Sequence, residues 1–246
     1  MHKKRVVLIL QARMGSKRLP GKSLMDLAGA PLVGRMLERV KNCKLVDEII
    51  LAVPNTNENI PLQELGRAYK VSVYAGSEDD LVGRYYEAAL SSNADIVVRL
   101  PADNATPQPE EIDKIIDYHL SLSTVGFSSN ISEINNSGYP DGIGAEVFDF
   151  SLLAEINSKK ISKKNREHVH LNFFNYETGK PANEEWCPVN TVSCPKEFRR
   201  PDLILDINTL DQYVFIKELY EYLYPRNPNF NILDIIKWYD GEYKKN

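Results

Sequence analysis

Three largely apolar runs rich in β-branched residues, at 6–11, 49–53 and 95–100, put the tightest limit on what this chain can fold into. None alternates apolar with polar residues, so each needs cover on both faces. That is the demand of a central strand in a mostly parallel sheet. The segments between them carry helical spacing. Pro31 opens one that runs to about Val40, with Leu32, Met36, Leu37 and Val40 on one face. Residues 58–69 read as a second helix, 71–74 as a short strand, and 110–122 as a further helix led in by Pro107 and Pro109. Ser77-Glu78-Asp79-Asp80 has the form of a capping box before a helix whose apolar face is Leu81, Tyr85, Ala88 and Ala89. Strand and helix alternate through this half, which predicts a doubly wound α/β sheet with helices on both faces.

The second half is less regular. Residues 125–127 and 142–148 read as strands and 151–158 as a helix. Between the two strands, 128–141 is a polar loop containing Asn135-Asn136-Ser137-Gly138. Residues 165–176 read as a helix, 178–186 as turns, 203–207 as a last strand, and 210–224 and 230–239 as closing helices. No repeat, low-complexity tract or linker divides the 246 residues, so a single domain over 1–246 is expected.

A net charge of -4 argues against a general nucleic-acid-binding role, which usually needs a basic face. Cys43, Cys187 and Cys194 match no common zinc spacing and are too few for a disulfide framework. The start is basic through Lys3, Lys4 and Arg5, but the apolar run behind it is too short for a signal segment or a membrane span. A cytoplasmic protein with no membrane contact is expected.

The segment Gln11-Ala12-Arg13-Met14-Gly15-Ser16-Lys17-Arg18-Leu19-Pro20-Gly21-Lys22-Ser23 carries the chemistry. Arg13, Lys17, Arg18 and Lys22 fall among two glycines and a proline, directly after a buried strand. Glycines let backbone amides approach an anion, Arg offers a bidentate fork and Lys a compact charge. The segment therefore predicts a polyphosphate cradle. It nearly matches a P-loop, but five residues separate Gly15 from Gly21-Lys22-Ser23 where that motif has four. Asp103 and Asp206 each follow an apolar run, at the edge where a doubly wound sheet binds ligands. Two such carboxylates suit a hard divalent cation that shares phosphate oxygens; the competing role is a helix cap, which fits Asp211 better. No Ser-His-Asp arrangement or thiol nucleophile is legible.

These motifs resemble those of the CMP-sugar synthetases, which comprise the acylneuraminate and 3-deoxy-manno-octulosonate cytidylyltransferases and the SpsF-type spore-coat polysaccharide proteins. Arg13, Gly15, Ser16, Arg18, Leu19, Pro20, Gly21 and Lys22 match the family's loop. The SpsF type is matched further by Gly76-Ser77-Glu78-Asp79-Asp80-Leu81 with Arg84-Tyr85, by Tyr139-Pro140-Asp141-Gly142 with Glu146-Val147-Phe148, and by Arg166-Glu167-His168-Val169. Asp103 and Asp206 match the two metal-holding positions, although the residues around each depart from the family's pattern.

The resemblance implies a Rossmann-like, GT-A-like nucleotidyltransferase fold and a homodimer. It implies CTP and Mg²⁺ or Mn²⁺ as nucleotide and cofactor, and a sugar or sugar acid as acceptor. Nucleotide binding falls to Gln11, Ala12, Arg13, Gly15, Ser16, Lys17, Arg18, Lys22, Arg84 and Asp103, with Arg13, Lys22 and Asp103 as catalytic residues and Asp103 and Asp206 on the metal. Tyr139, Glu146 and His168 fall to the acceptor. Residues 128–200 would then build the acceptor pocket and part of the dimer contact, with Phe173, Phe174, Tyr176 and Trp186 as aromatic material for either; the alternative is that Phe173, Phe174 and Trp186 close the domain's own core. A GT-A glycosyltransferase and a nucleotide-binding scaffold without catalysis are the rival readings. Acid sugars, amino sugars and phosphorylated polyols stay open as acceptors.

Overall fold

A computed structural model describes residues 3–131 and 137–245; Asn135 and Asn136 of the expected polar loop lie outside them. In chain order, β1 (Val6–Gln11) is followed by the hairpin β2 (Asp26–Leu27) and β3 (Ala30–Pro31), helix α1 (Leu32–Val40), β4 (Glu48–Pro54), α2 (Ile60–Ala68), β5 (Ser72–Gly76), α3 (Leu81–Ser91), β6 (Ile96–Pro101) and α4 (Pro109–Ser121). The second half contributes β7 (Phe127–Ser129), β8 (Glu146–Asp149), α5 (Phe150–Ser158), α6 (Lys163–Glu167), β9 (Phe174–Asn175), β10 (Lys180–Pro181), β11 (Val189–Asn190), α7 (Leu210–Leu223) and α8 (Ile232–Gly241).

Seven strands form one sheet in the order β11-β7-β8-β6-β1-β4-β5. The pairs β6·β1, β1·β4 and β4·β5 are parallel, and β8 runs antiparallel to both of its neighbours. The largely apolar runs have the predicted two-sided burial. Val6, Leu8 and Leu10 of β1 join one core cluster with α1, α4, α7 and α8, while Val7 and Ile9 join the other with α3 and α5. Expected strands and helices of the first half stand where the periodicity put them, within a residue or two. The cap of α3 differs: Asp80, not Ser77, is the N-cap and accepts from the Gly83 amide at 2.8 Å, while Ser77 Oγ accepts from the Asp80 amide.

Two expectations in the second half fail. Residues 165–176 do not form one helix: α6 ends at Glu167 and a 3-10 turn, Val169–Asn172, follows. Asn172 Nδ2 donates to the carbonyls of Asn165 and Val169, which a continuing helix would need for its own ladder. Residues 203–207 are not a strand of the sheet. Leu203, Leu205 and Ile207 are buried in the alternation that the sequence shows, but the chain makes only isolated bridges, Asn104↔Asp206 and Asp141↔Ile204. Its bridging partners, Asn104 and Asp141, lie outside any strand, so alternation continues without a ladder. Asp211 is in the first turn of α7, whose capping box is made by Thr209 and Gln212.

The aromatic residues 173 and 174 are spent inside the chain. Phe173 stacks on Phe127, Phe148 and Trp186, and both Phe173 and Phe174 are fully buried. They close the second core cluster and supply no argument for a subunit contact.

A Ser–His–Asp arrangement does exist, contrary to expectation, but inside the protein. His119 Nδ1 lies 2.8 Å from Ser128 Oγ, and His119 Nε2 lies 3.3 Å from Asp149 Oδ2. All three are buried, so no substrate reaches them; they pin α4 to β7 and β8. Burial pushes the Asp149 carboxyl up, yet hydrogen bonds from His119 and the Gly126 amide, with Lys4 nearby, hold it below its ordinary 3.8. A depressed acid stabilises the fold above its unfolded pKa and stops doing so as pH falls through the folded value. Asp149→Asn is therefore expected to lower stability at pH 7, by a margin that shrinks as pH drops below 3.8. Urea unfolding of both proteins at pH 7, 5 and 3 checks this; a margin independent of pH would show that the charge is not what matters.

Candidate active site

Ligands of a doubly wound sheet bind where the winding reverses, beyond the carboxyl ends of the strands. From β1 the sheet runs to β4 and β5 on one side, and β6 lies against its other edge. The reversal therefore falls between Gln11 and Pro101, which are register partners at the ends of β1 and β6. A cleft of about 630 Å³ opens at that point.

The basic loop forms its near wall. The amides of Ser16 and Gly21 both turn in to the Met14 carbonyl at 2.9 and 3.0 Å, and Ser23 Oγ donates to the Arg13 carbonyl at 3.0 Å. Gly21 has φ 73°, a left-handed conformation that costs glycine little, and it opens a single 3-10 turn, Lys22–Leu24. The β2–β3 hairpin comes next and α1 starts only at Leu32, so Lys22-Ser23 does not open a helix as a P-loop requires. Gln11, Ala12, Arg13, Ser16, Lys17, Arg18 and Lys22 line the cleft. Gly15 does not. A Cβ there would meet Glu58 Oε1 at 3.2 Å, so the glycine gives the loop clearance.

Asp103 follows β6, and Asp206 is brought beside it by the bridge between Asn104 and Asp206 and by the Ile207 amide, which donates to the Asp103 carbonyl at 2.9 Å. Lys22 reaches across to both segments. Its Nζ donates to the Ile207 carbonyl at 2.7 Å and lies 3.6 Å from Asp103 Oδ2. Arg18 donates to Asn208 Oδ1 at 2.5 Å, and Asn208 donates in turn to Asp206. Burial, and next the charge of Asp103, raise the Asp206 carboxyl to about 6. Burial likewise lowers Lys22 against the pull of Asp103. Two carboxylates thus face one small volume, and Asp206 is raised there, which is a fit for a hard divalent cation.

The far wall was only partly foreseen. Glu146, at the start of β8, lines the cleft and is buried; its Oε2 accepts from Arg99 Nη1 of β6 at 2.7 Å and its Oε1 from Tyr176 at 2.7 Å. His170 packs 5.0 Å from the Tyr176 ring and 5.8 Å from that of His168. Burial lowers His170 to about 4, so it is neutral at pH 7. His168 and Glu167 also line the cleft, whereas Arg166 turns to Asn157 and Asp80. Tyr139 is not in the cleft: it is buried behind it, donating to Glu111 at 2.5 Å and accepting from Lys114 at 2.9 Å. Sequence reading missed Arg99. The signal for Arg99 was present, since a lone arginine in an otherwise apolar strand must be paired when buried.

Five buried polar side-chain atoms have no partner among the described residues: Gln11 Oε1, Arg84 Nε, Arg99 Nε, Thr106 Oγ1 and His170 Nδ1. All but Thr106 belong to residues lining this cleft. Such orphans are rare in native proteins and cost about 1–3 kcal/mol each. Their concentration here marks a surface shaped for a polar ligand. Arg84 is among them; burial lowers it to about 10, and its Nη1 donates to the Ser77 carbonyl.

The sequence model of the cytidylyltransferase family matches residues 7–220, which take in the loop, Asp103, the Glu146 wall and Asp206. The chain belongs to the cytidylyltransferase family. An uncharacterised protein of Methanocaldococcus jannaschii is 31% identical over 215 residues, covering 87% of this chain and 83% of the relative. The spore coat polysaccharide biosynthesis protein SpsF of Bacillus subtilis is 29% identical over 221 residues, covering 88% and 86%. A solved structure of a cytidylyltransferase from Leptospira borgpetersenii superposes with a TM-score of 0.84 at 27% identity, over 98% of this chain and 96% of that one. This cytidylyltransferase therefore has the nucleotidyltransferase fold and enzyme class that the loop motif implied. No helix among its described residues is long and apolar enough to cross a membrane.

Proposed function

We propose that the protein transfers CMP from CTP to a hydroxyl of a sugar-like acceptor, releasing pyrophosphate. The observation that carries this is the meeting of Arg13, Lys17, Arg18 and Lys22 with Asp103 and Asp206 in one cleft at the switch point. A GT-A glycosyltransferase has no use for that cationic loop. A scaffold without catalysis has no use for a raised carboxylate, Asp206, set beside a second one.

The acceptor oxygen attacks the α-phosphorus and pyrophosphate leaves in line, a reaction that needs positioning and charge neutralisation more than covalent help. Arg13, Lys17 and Arg18 neutralise the phosphates from the exposed side. Lys22, anchored on the Ile207 carbonyl, is held at the inner end of the loop. Gln11 and Arg84 offer an acceptor and a donor to the nucleoside. Asp103 and Asp206 would hold Mg²⁺ or Mn²⁺, which supplies electrostatic stabilisation of the departing phosphate oxygens. Among the described residues no group of three His, Cys, Asp or Glu could hold a metal ion, so phosphate and water would complete the set.

Thermal stabilisation by four nucleoside triphosphates with Mg²⁺ tests the nucleotide. CTP at about 100 times its Kd should add about 2.7 kcal/mol, or about 5–10 °C in Tm for a chain of this size. Stabilisation by ATP or GTP, with none by CTP, would reject the cytidylyl reading.

A further inference from the structure

Asp206 stands on a stretch that belongs to no sheet, so contacts outside a ladder must fix where its carboxylate sits. On one side that stretch meets the loop after β6, through the Asn104 bridge and the Ile207 amide. On its other side lies the segment 138–142. The Arg200 amide donates to the Gly138 carbonyl at 3.1 Å, the Asp141 amide to the Leu203 carbonyl at 3.0 Å, and the Leu205 amide to the Asp141 carbonyl at 3.1 Å. The Tyr139-Pro140-Asp141-Gly142 motif thus runs beside the chain that leads into Asp206. Its tyrosine is spent on Glu111 and Lys114, so the site uses the backbone of the motif. Gly142 ends this contact. It is buried and has φ 82°, a conformation that strains an L side chain. A Cβ there would lie 2.7 Å from the Leu205 carbonyl carbon and 2.9 Å from the Asp206 nitrogen. Both are backbone atoms, and no rotamer change clears them. Leu205 and Ile207 are fully buried on either side of Asp206, which leaves the Leu205–Asp206 peptide as the part that must give.

We infer, resting on the CMP-transfer reading and its metal at Asp103 and Asp206, that Gly142 is a positioning residue for that metal. Having no side chain, it lets the 138–142 segment lie directly on the Asp206 peptide. The Asp206 carboxylate is thereby set against Asp103 at the separation one divalent cation requires. Gly142 acts through Asp206 and touches neither nucleotide nor cation. The Asp141 carboxylate fixes the turn from behind, accepting from the Gly142 amide at 2.8 Å. Disturbing the support of a metal ligand commonly costs about 10- to 100-fold in metal affinity.

The test is the gain in CTP affinity on adding metal, read by calorimetric titration of CTP in EDTA and in Mn²⁺. The loop cations meet the phosphates in both buffers, whereas the two aspartates help only when the ion is present. Three variants divide the causes. Gly29→Ala, in the β2–β3 turn at φ 87°, adds the same backbone strain but places its Cβ in open space. Gly142→Asn adds the collision with less strain, since asparagine tolerates positive φ better than other side chains. Gly142→Ala adds both. Each Gly142 variant should cut the Mn²⁺-dependent gain by about 10-fold and change the metal-free Kd by less than about 2-fold. Gly29→Ala should leave both values as they are. If Gly142→Ala does not fold, Gly142→Asn decides. In wild type, the Asp141 and Leu205 amides should exchange with deuterium as slowly as those of β5, although neither is in a strand; fast exchange would show that the segment supports nothing. An undiminished gain in the Gly142 variants, an equal fall in Gly29→Ala, or an equal loss in EDTA overturns the inference. If wild type binds CTP and gains from Mn²⁺, such a result removes only the role of Gly142. If wild type binds CTP without any gain from Mn²⁺, the metal assignment falls and this role with it. If it does not bind CTP, the reading of the whole cleft falls.

Discussion

Asp103→Asn and Asp206→Asn should each lower kcat by about 10²–10³-fold, since the lost charge stabilisation of several kcal/mol converts at about 1.4 kcal/mol per tenfold. Neither should unfold the protein. Asp206 is an acid raised to about 6 by burial and by Asp103, so its ionised form is already a strain on the native state at neutral pH. Removing that charge leaves the Tm unchanged or higher. Asn208 and Gln212 donate to different oxygens of Asp206, and an asparagine keeps one of these two acceptors. The discriminating measurement is kcat at saturating Mn²⁺ alongside Tm. A variant that keeps near-full turnover shows that its carboxylate only organises the loop, and the metal assignment for that residue is then wrong.

Lys22→Ala should weaken CTP by about 10- to 100-fold while changing cytidine by less than about 2-fold, because a charge-assisted contact is worth about 1.5–3 kcal/mol and only the phosphates make it. Its geometry makes Lys22 the most consequential of the four cations. Arg13, Lys17 and Arg18 are exposed, where water screens them, but Lys22 is partly buried, hydrogen-bonded to Ile207 and 3.6 Å from Asp103. The substitution also leaves Asp103 and Asp206 facing each other without their nearest counter-ion, so turnover should fall as well. Equal loss of affinity for CTP and cytidine, measured by calorimetric titration, would move the loop from the phosphates to the base or ribose.

The amino-acid sequence by itself determined the sheet's central strands and the nature of the loop. Runs such as Val6–Gln11 are apolar on both faces, and that pattern has one common solution in a chain with alternating helices. The cations of 13–22 fall within one short segment, so their joint presence needed no tertiary information. What the sequence left open are relations between residues far apart along it. Asp103 and Asp206 become one site only because a bridge and the Ile207 amide lay residues 203–207 against the loop after β6, where the expected strand does not form. Arg99 and Glu146 are 47 positions apart and meet because β8 runs antiparallel to β6 in the one register that opposes them. Tyr139, matched by motif, was assigned to the acceptor, yet packing turned it toward Glu111 and Lys114. Local periodicity reports which faces are buried. It carries no information on which distant charge a buried face will meet.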